Sequence, residues 1–227
     1  MDNLSIREIR DAGGDILDQV LGIYEEAFPI EERIPTENLR SMIRQTSAAT
    51  DHVDHWWAGI DQPDRVWGMA SFSYYCATRW AYLPFLAIHN EERGRGLGGY
   101  LFQEVLLQVK EDAIRLDGKP GIGLCFEVER PQDGHDDAER EKRQRRIRFY
   151  ERNGAFVING VDFVAPPLGH GFPALPLILM ACPMPKAAPL VLDRALTKDV
   201  VDTVLRYGYG AGADNPYYVA AMESIGK

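Results

Sequence analysis

Apolar residues recur along the chain with two alternating periods. From Leu4 to Ile9 the period is two, with Leu4, Ile6 and Glu8 on one side, which predicts a short strand. From Asp15 to Ala27 the spacing is helical: Ile16, Val20, Ile23 and Tyr24 form one stripe that Phe28 continues, and Pro29 stops it. Pro35 to Ser47 predicts a second helix with its proline in the first turn, where no amide hydrogen is required. Val53 to Ile60 and Arg65 to Tyr75 read as strands joined by the turn Asp61-Gln62-Pro63-Asp64. Trp80 to Ile88 is a further strand, bulged or bent near Pro84, because proline gives no ladder hydrogen bond. Leu97 to Leu116 is a long amphipathic helix carrying Leu97, Leu101, Val105 and Val109 on one stripe, and Asp117-Gly118-Lys119-Pro120 closes it.

Ile122 to Val128 is a buried strand, and Glu139 to Arg152 a charged helix. Ala155 to Val161 and Leu175 to Ala181 are the last strands, with a proline- and glycine-rich linker, Asp162 to Pro173, between them. The order is that of an α/β layered domain, although strands do not alternate strictly with helices as they would in a doubly wound dinucleotide fold. Residues 1–185 form the domain. Residues 186–227 form a helical extension, with helices over Leu196 to Arg206 and Tyr217 to Ile225 split by Gly208, Gly210 and Gly212, which docks on the domain or on a partner subunit.

Composition narrows the function classes. A chain of 227 residues with 45% hydrophobic and 26% charged residues fits a soluble globular protein. The formal net charge of -9 disfavours nucleic acid as the main partner, since such interfaces draw affinity from positive charge. Cys76, Cys125 and Cys182 are too dispersed for a metal-binding pair, and an odd count speaks against a disulfide framework. The five histidines, His52, His55, His89, His135 and His170, show no metalloprotease spacing, so no metal is expected. The first seven residues lack the form of a signal peptide, and the apolar stretch Leu175 to Cys182 is too short to span a bilayer, which points to a cytoplasmic protein with no membrane partner.

The sharpest local signal is Arg93-Gly94-Arg95-Gly96-Leu97-Gly98-Gly99, placed between a strand and a long helix. Glycines allow unusual dihedrals and close backbone approach, and a helix start leaves amide hydrogens unpaired. Together these make a phosphate cradle, to which Arg93 and Arg95 can add charge-assisted bonds. The segment lacks the Gly-Lys-Ser/Thr ending of a P-loop and lies far from the first strand, where a dinucleotide fingerprint would sit.

The stretch Leu86-Ala87-Ile88-His89-Asn90-Glu91-Glu92-Arg93-Gly94-Arg95-Gly96-Leu97-Gly98-Gly99 resembles motif A of the GCN5-related N-acetyltransferase (GNAT) superfamily, with Arg93, Gly96 and Gly98 at its defining positions. Phe149-Tyr150-Glu151-Arg152-Asn153-Gly154-Ala155-Phe156 resembles the end of motif B, in the right order and spacing. The resemblance covers roughly Leu4 to Ala181. It implies an acyl-CoA N-acyltransferase fold: a mixed central sheet splayed at the cofactor site, with helices on both faces. It implies acetyl-CoA or coenzyme A as cofactor, backbone contacts to pantetheine around Leu86, Ala87 and Ile88, and amides from Gly94 through Gly99 on the pyrophosphate. Arg143 stands where relatives often carry Asn, and Arg146 where they often carry alanine; these two are the cations of the helix chosen for cofactor contact, the alternative being a salt-laced solvated face.

Acyl transfer to an amine requires a neutral amine, a donor for the oxyanion and a proton for the departing thiolate. The resemblance makes Tyr150 the candidate acid. Glu127 and Glu129 share one face of a strand and are candidate bases, while Glu31 and Glu32, between the first two helices, either line the acceptor site or form a charged surface loop. A backbone amide near Leu86 is the expected oxyanion donor. Cys125, within an apolar run, reads as a buried structural thiol rather than a nucleophile. Trp56, Trp57, Trp67, Tyr74 and Tyr75 wall an acceptor cleft or pack within the sheet. Arg206-Tyr207-Gly208-Tyr209-Gly210 and Asn215-Pro216-Tyr217-Tyr218 cover the acceptor site or build a homodimer. The expected activity is acetyl-CoA-dependent N-acetylation by direct attack on a small-molecule or protein amine, the acidic loop favouring a cationic acceptor. The rival reading is a non-catalytic CoA-binding sensor or interaction module.

Overall fold

The computed structural model describes residues 4–45, 51–61, 64–169, 171–184 and 192–226. The end of the expected helix at residues 46–47, Gln62 and Pro63 of the expected turn, His170 and the 185/186 boundary lie outside the described residues. The elements run β1 (Ser5–Glu8), α1 (Asp15–Ala27), α2 (Thr36–Gln45), β2 (His52–Asp61), β3 (Arg65–Tyr75), β4 (Trp80–Ile88), α3 (Leu97–Asp117), β5 (Gly123–Glu129), α4 (Asp137–Arg152), β6 (Phe156–Val157), β7 (Val164–Ala165), β8 (Leu175–Pro183), α5 (Arg194–Val201) and α6 (Pro216–Ser224). One mixed sheet has the order β1-β2-β3-β4-β5-β8-β6, with β7 on β8. Its pairs are antiparallel except β4 with β5, which are parallel and joined through α3. No helix among the described residues is long and apolar enough to cross a membrane.

Strand periodicity sorts side chains onto the two faces. On β2, Trp56, Ala58 and Ile60 pack with α1 and α2, against Leu17, Val20, Tyr24 and Leu39. Trp57 points to the other face, where Phe72, Phe102, Val105 and Phe126 form the core beneath α3 and α4. Two bulges reverse this parity. On β3 the extra residue is Trp67, lying between Gly59↔Gly68 and Ile60↔Val66. On β4 the extra residue falls at Leu83-Pro84, since Ser73 faces Tyr82 but Ser71 faces Phe85. The second bulge puts Tyr82 and Phe85 on the same face, although three positions separate them.

That face is shared. Its β1–β4 half is covered by α1 and α2, and its β4–β5–β8 half by the C-terminal extension, whose Val200, Val201, Val204 and Leu205 are fully buried against Trp80, Cys125 and Leu179. The helix expected over Leu196 to Arg206 starts at Arg194 and changes pitch after Val201, continuing as a π-helix over Asp202–Gly208. The strand expected over Ala155 to Val161 is cut to Phe156–Val157, with one further bond from the Ile158 amide to Leu179 O at 2.9 Å. Part of the expected linker is itself the strand Val164–Ala165, paired with Leu175 and Pro176.

A buried ionic group ties the first strands to α3. His55 on β2 gives Nδ1 to Glu8 at 2.9 Å and Nε2 to Asp112 at 2.9 Å. Trp57 Nε1 donates to Glu8 at 2.8 Å, and Arg115 to Asp112 at 2.9 Å. Burial opposes charge on the imidazole, but the bonds to Asp112 and Glu8 outweigh it and push its pKa from 6.5 up to about 9. The folded value lies above the unfolded one, so this stabilisation is complete below about pH 6.5 and is lost as pH rises toward 9. The denaturation midpoint of the parent protein is therefore expected to fall between those values. His55→Asn should remove that pH dependence and destabilise the protein by about 2 kcal/mol at pH 6, read by urea unfolding, because it takes the cationic donor from half-buried Glu8 and leaves the buried Asp112 with Arg115 alone.

Candidate functional site

The parallel pairing of β4 with β5 covers only Trp80↔Gly123, Ala81↔Leu124 and Tyr82↔Cys125. The Leu83-Pro84 bulge follows at once, and the strands part. A cavity of about 1140 Å³ occupies the opening and takes lining from both faces of the sheet. On the α3/α4 face it meets the glycine turn, Phe149 and Tyr150; on the other it meets Phe28, Trp56, Tyr75 and the extension residues Tyr207 and Tyr209.

The glycine turn forms one end. Gly96 caps α3 in the left-handed conformation, φ 81°, and Gly94 has φ 82°. A Cβ built on either would meet no protein atom within 4 Å, because both border the cavity. The first backbone bond of α3 runs from the Tyr100 amide to Gly96 O at 3.1 Å, so the earlier amides have no acceptor within the helix.

Glu127, on β5, lies at the other side of the opening. Tyr82 from β4 and Tyr209 from the extension both donate to its Oε1, each at 2.7 Å. Its Oε2 is buried and has no hydrogen-bond partner among the described residues. Burial raises the carboxyl against the opposing effect of the two phenols, to about 7. Tyr150 lines the same cavity, its ring packed on Phe126 at 4.2 Å and Phe102 at 5.5 Å. Burial pushes its hydroxyl up to about 12, so it stays protonated at neutral pH.

A model of the acetyltransferase (GNAT) family matches residues 17–119. A GNAT-family protein from Bacteroides thetaiotaomicron superimposes with a TM-score of 0.65 at 21% identity, over 92% of this chain and 99% of that one. The chain has the GNAT fold. A GCN5-related N-acetyltransferase from Kribbella flavida gives a TM-score of 0.55 at 18% identity, over 81% and 99% of the two chains. An aminoglycoside 6'-N-acetyltransferase complexed with coenzyme A gives 0.56 at 18% identity, over 83% and 99%. No curated protein matches the sequence.

Within this GNAT fold, Leu86, Ala87, Ile88, Arg93, Leu97, Gly98 and Gly99 border the cavity together with Gly94 and Gly96. Arg95 turns away and pairs with the buried carboxylate of Glu92, which Arg65 also holds at 2.8 Å. Of the α4 cations chosen from sequence, Arg146 borders the cavity and pairs with Glu129. Arg143 does not border it: it donates to Arg130 O at 3.0 Å and Glu139 at 2.7 Å, with Nε 3.6 Å from Glu129. Lys142, Arg145 and Arg152 border it as well. Glu129 is thus neutralised by arginine, whereas Glu127, two residues earlier on the same face, is not. Glu31 and Glu32 border the cavity from a 3-10 turn after α1. Burial raises Glu32 above its ordinary value, while Arg146 and Arg143 pull it down.

Trp56 and Tyr75 wall the cavity; Trp57, Trp67 and Tyr74 are core residues. Cys125 is buried, donates to Ala81 O at 3.2 Å and is raised well above the usual thiol range by burial, which leaves no thiolate for chemistry. Tyr82 and Tyr209 are the site residues that sequence reasoning did not single out. Tyr82 carried a signal, since the strand period puts it beside the cleft-opening Pro84; Tyr209 sat in a segment whose docking partner was open.

The residues present fit a CoA-type ligand: a cradle of free amides with open space above it, bordered by Arg93, Arg145 and Arg146. Gly96→Ala would place a Cβ in that space and force a left-handed backbone on alanine. Affinity for coenzyme A, measured calorimetrically, should fall at least about tenfold, while stability changes by roughly 1 kcal/mol.

Proposed function

We propose that this protein is an N-acetyltransferase that moves the acetyl group of acetyl-CoA directly onto an amine, and that the acceptor is cationic. The observation that carries the reading is the cavity through the sheet, with an amide cradle on one face and a carboxylate of pKa about 7 on the other. Two substrates can therefore meet in the gap from opposite faces, which supports direct transfer over a covalent enzyme intermediate.

When bound, acetyl-CoA supplies a thioester carbonyl; amine attack forms a C–N bond and breaks the C–S bond. Glu127 takes the proton of the acceptor ammonium and so produces the nucleophilic amine. A carboxylate near pKa 7 is ionised in part at neutral pH and is basic enough for that task. Tyr150, protonated at that pH, gives its proton to the departing thiolate and is reprotonated by the second proton that the nitrogen loses as the amide forms, while Glu127 returns the first to solvent. A backbone amide of β4 near Leu86 holds the oxyanion in this reading, which the place of Leu86 on the cavity wall supports. Glu31, Glu32 and Asp54 border the acceptor side, and Asp54 is held by Ser73 Oγ at 2.5 Å. Glu31, Glu32 and Asp54 match a cation, and Arg93 at the glycine turn matches a polyphosphate.

Thiol release from acetyl-CoA should be strongest with diamines and polyamines among a panel of amines, and kcat/KM should rise with pH through about 7. Glu127→Gln should lower kcat/KM by about 100-fold or more and remove that rise. Tyr150→Phe should lower kcat by about 10- to 100-fold with coenzyme A affinity unchanged. Tight coenzyme A binding without turnover on any amine would return the protein to the non-catalytic reading.

A further inference from the structure

The C-terminal extension reaches the site through a short tyrosine-glycine-tyrosine segment. The π-helix Asp202–Gly208 ends with the Tyr209 amide bonded to Val204 O at 2.9 Å and the Ala211 amide to Leu205 O at 2.7 Å. The wider turn brings both Tyr207 and Tyr209 to the cavity, and π segments of this kind recur at functional sites. The Tyr207 ring stacks on Tyr75 of β3 with centroids 5.1 Å apart at 26°, and the Tyr75 hydroxyl reaches Tyr207 O at 3.5 Å. Between the two tyrosines, Gly208 lies directly against Tyr82: a Cβ there would sit 2.5 Å from Tyr82 Cε1. Only a residue without a side chain lets the segment close on β4 far enough for the Tyr209 hydroxyl to reach Glu127.

We propose that Tyr209 is a positioning residue for the transfer reaction: with Tyr82 it fixes Oε1 of Glu127, leaves Oε2 as the atom that receives the proton of the acceptor, and makes the C-terminal extension part of the active site. The proposal rests on the reading of Glu127 as the base. Two phenols on one oxygen define the rotation of the carboxylate plane, so Oε2 is held in one direction without being occupied. The other ionisable groups acting on this site come from each element around it: Tyr150 and Arg146 from α4, Glu32 from the turn after α1, and Cys125 on β5 itself. None of these donates to Glu127; its ionised form is favoured by the two phenols and, to a smaller degree, by a backbone hydrogen bond.

The test is a titration of the Glu127 carboxyl by infrared difference spectroscopy on the full chain, its band identified by loss in Glu127→Gln, alongside the pH dependence of kcat/KM. Tyr209→Phe keeps the ring and removes the donor. The carboxyl titration and the rise of kcat/KM should both move up by about one pH unit, the scale of one lost hydrogen bond to a charged group. Tyr82→Phe should shift them in the same direction. Gly208→Ala, whose Cβ would press on the Tyr82 ring and drive the segment and β4 apart while keeping both hydroxyls in the sequence, should also shift them upward, with melting temperatures confirming that each variant is folded. If Glu127→Gln removes the rise but Tyr209→Phe and Gly208→Ala leave the titration where it was, Glu127 stands as base and the positioning role of Tyr209 is overturned. If the rise survives in Glu127→Gln, the base assignment falls and the proposal with it.

Discussion

Two strands that lie side by side for three residue pairs and then part create this site. The parting follows from Pro84, which has no amide hydrogen to offer, and from the bulge it shares with Leu83. Past that point the edge of β4 that would face β5 has no strand partner among the described residues, although backbone polar groups in such a place need one. An extended, amide-bearing ligand in the gap would satisfy them, and water would do so less specifically. The same bulge resets the parity of β4. Tyr82 before it and Phe85 after it end up on one face, so a single surface runs from the α1/α2 core to the C-terminal extension, with the cavity between.

The extension is bound into this arrangement by its own packing. Val200, Val201, Val204 and Leu205 are all fully buried, and at about 1.5–3 kcal/mol for each large aliphatic side chain their burial is ample to hold a short helix on the sheet. A hydroxyl carried on so firmly seated a segment loses little further freedom when it bonds Glu127. The change from α to π pitch at Asp202 is the local adjustment that reconciles the two demands: an apolar stripe facing the sheet, and aromatic side chains facing the gap.

Much of this was legible in the sequence, and the reasons can be traced residue by residue. Helical periods over Asp15–Ala27 and Leu97–Asp117 were strong because both helices bury one stripe. The glycine turn announced itself because positive φ and close approach leave few alternatives to glycine. Pro84 marked the bulge. The site residues divide differently. Glu127 and Glu129 are indistinguishable by strand period, and what separates them is the tertiary placement of Arg146 and Arg143 from a helix whose arginines all looked alike. Arg95 looked like a phosphate ligand until its partner Glu92 was seen three residues earlier. Tyr209 had no local pattern at all, because its role depends on a contact across 82 positions of sequence. Two-residue strands such as Phe156–Val157 also lie below what a period-two signal can resolve.

The choice of donors around the two carboxylates explains their different capacities. An arginine on a carboxylate adds a full positive charge, favours the ionised form strongly and leaves a weak base. Glu129 has arginine partners, Arg146 and Arg143. A phenol adds only a dipole: it orients the carboxylate and offsets part of the desolvation, but leaves proton affinity high. Burial raises Glu127, and the two phenols together with a backbone hydrogen bond oppose it, leaving the carboxyl at about 7, where it can both accept a proton and release it between turnovers. Donors without charge are therefore what a recyclable base in a dry site needs, and the fold draws one from the last residue of β4 paired with β5 and the other from the segment that follows the π-helix of the extension.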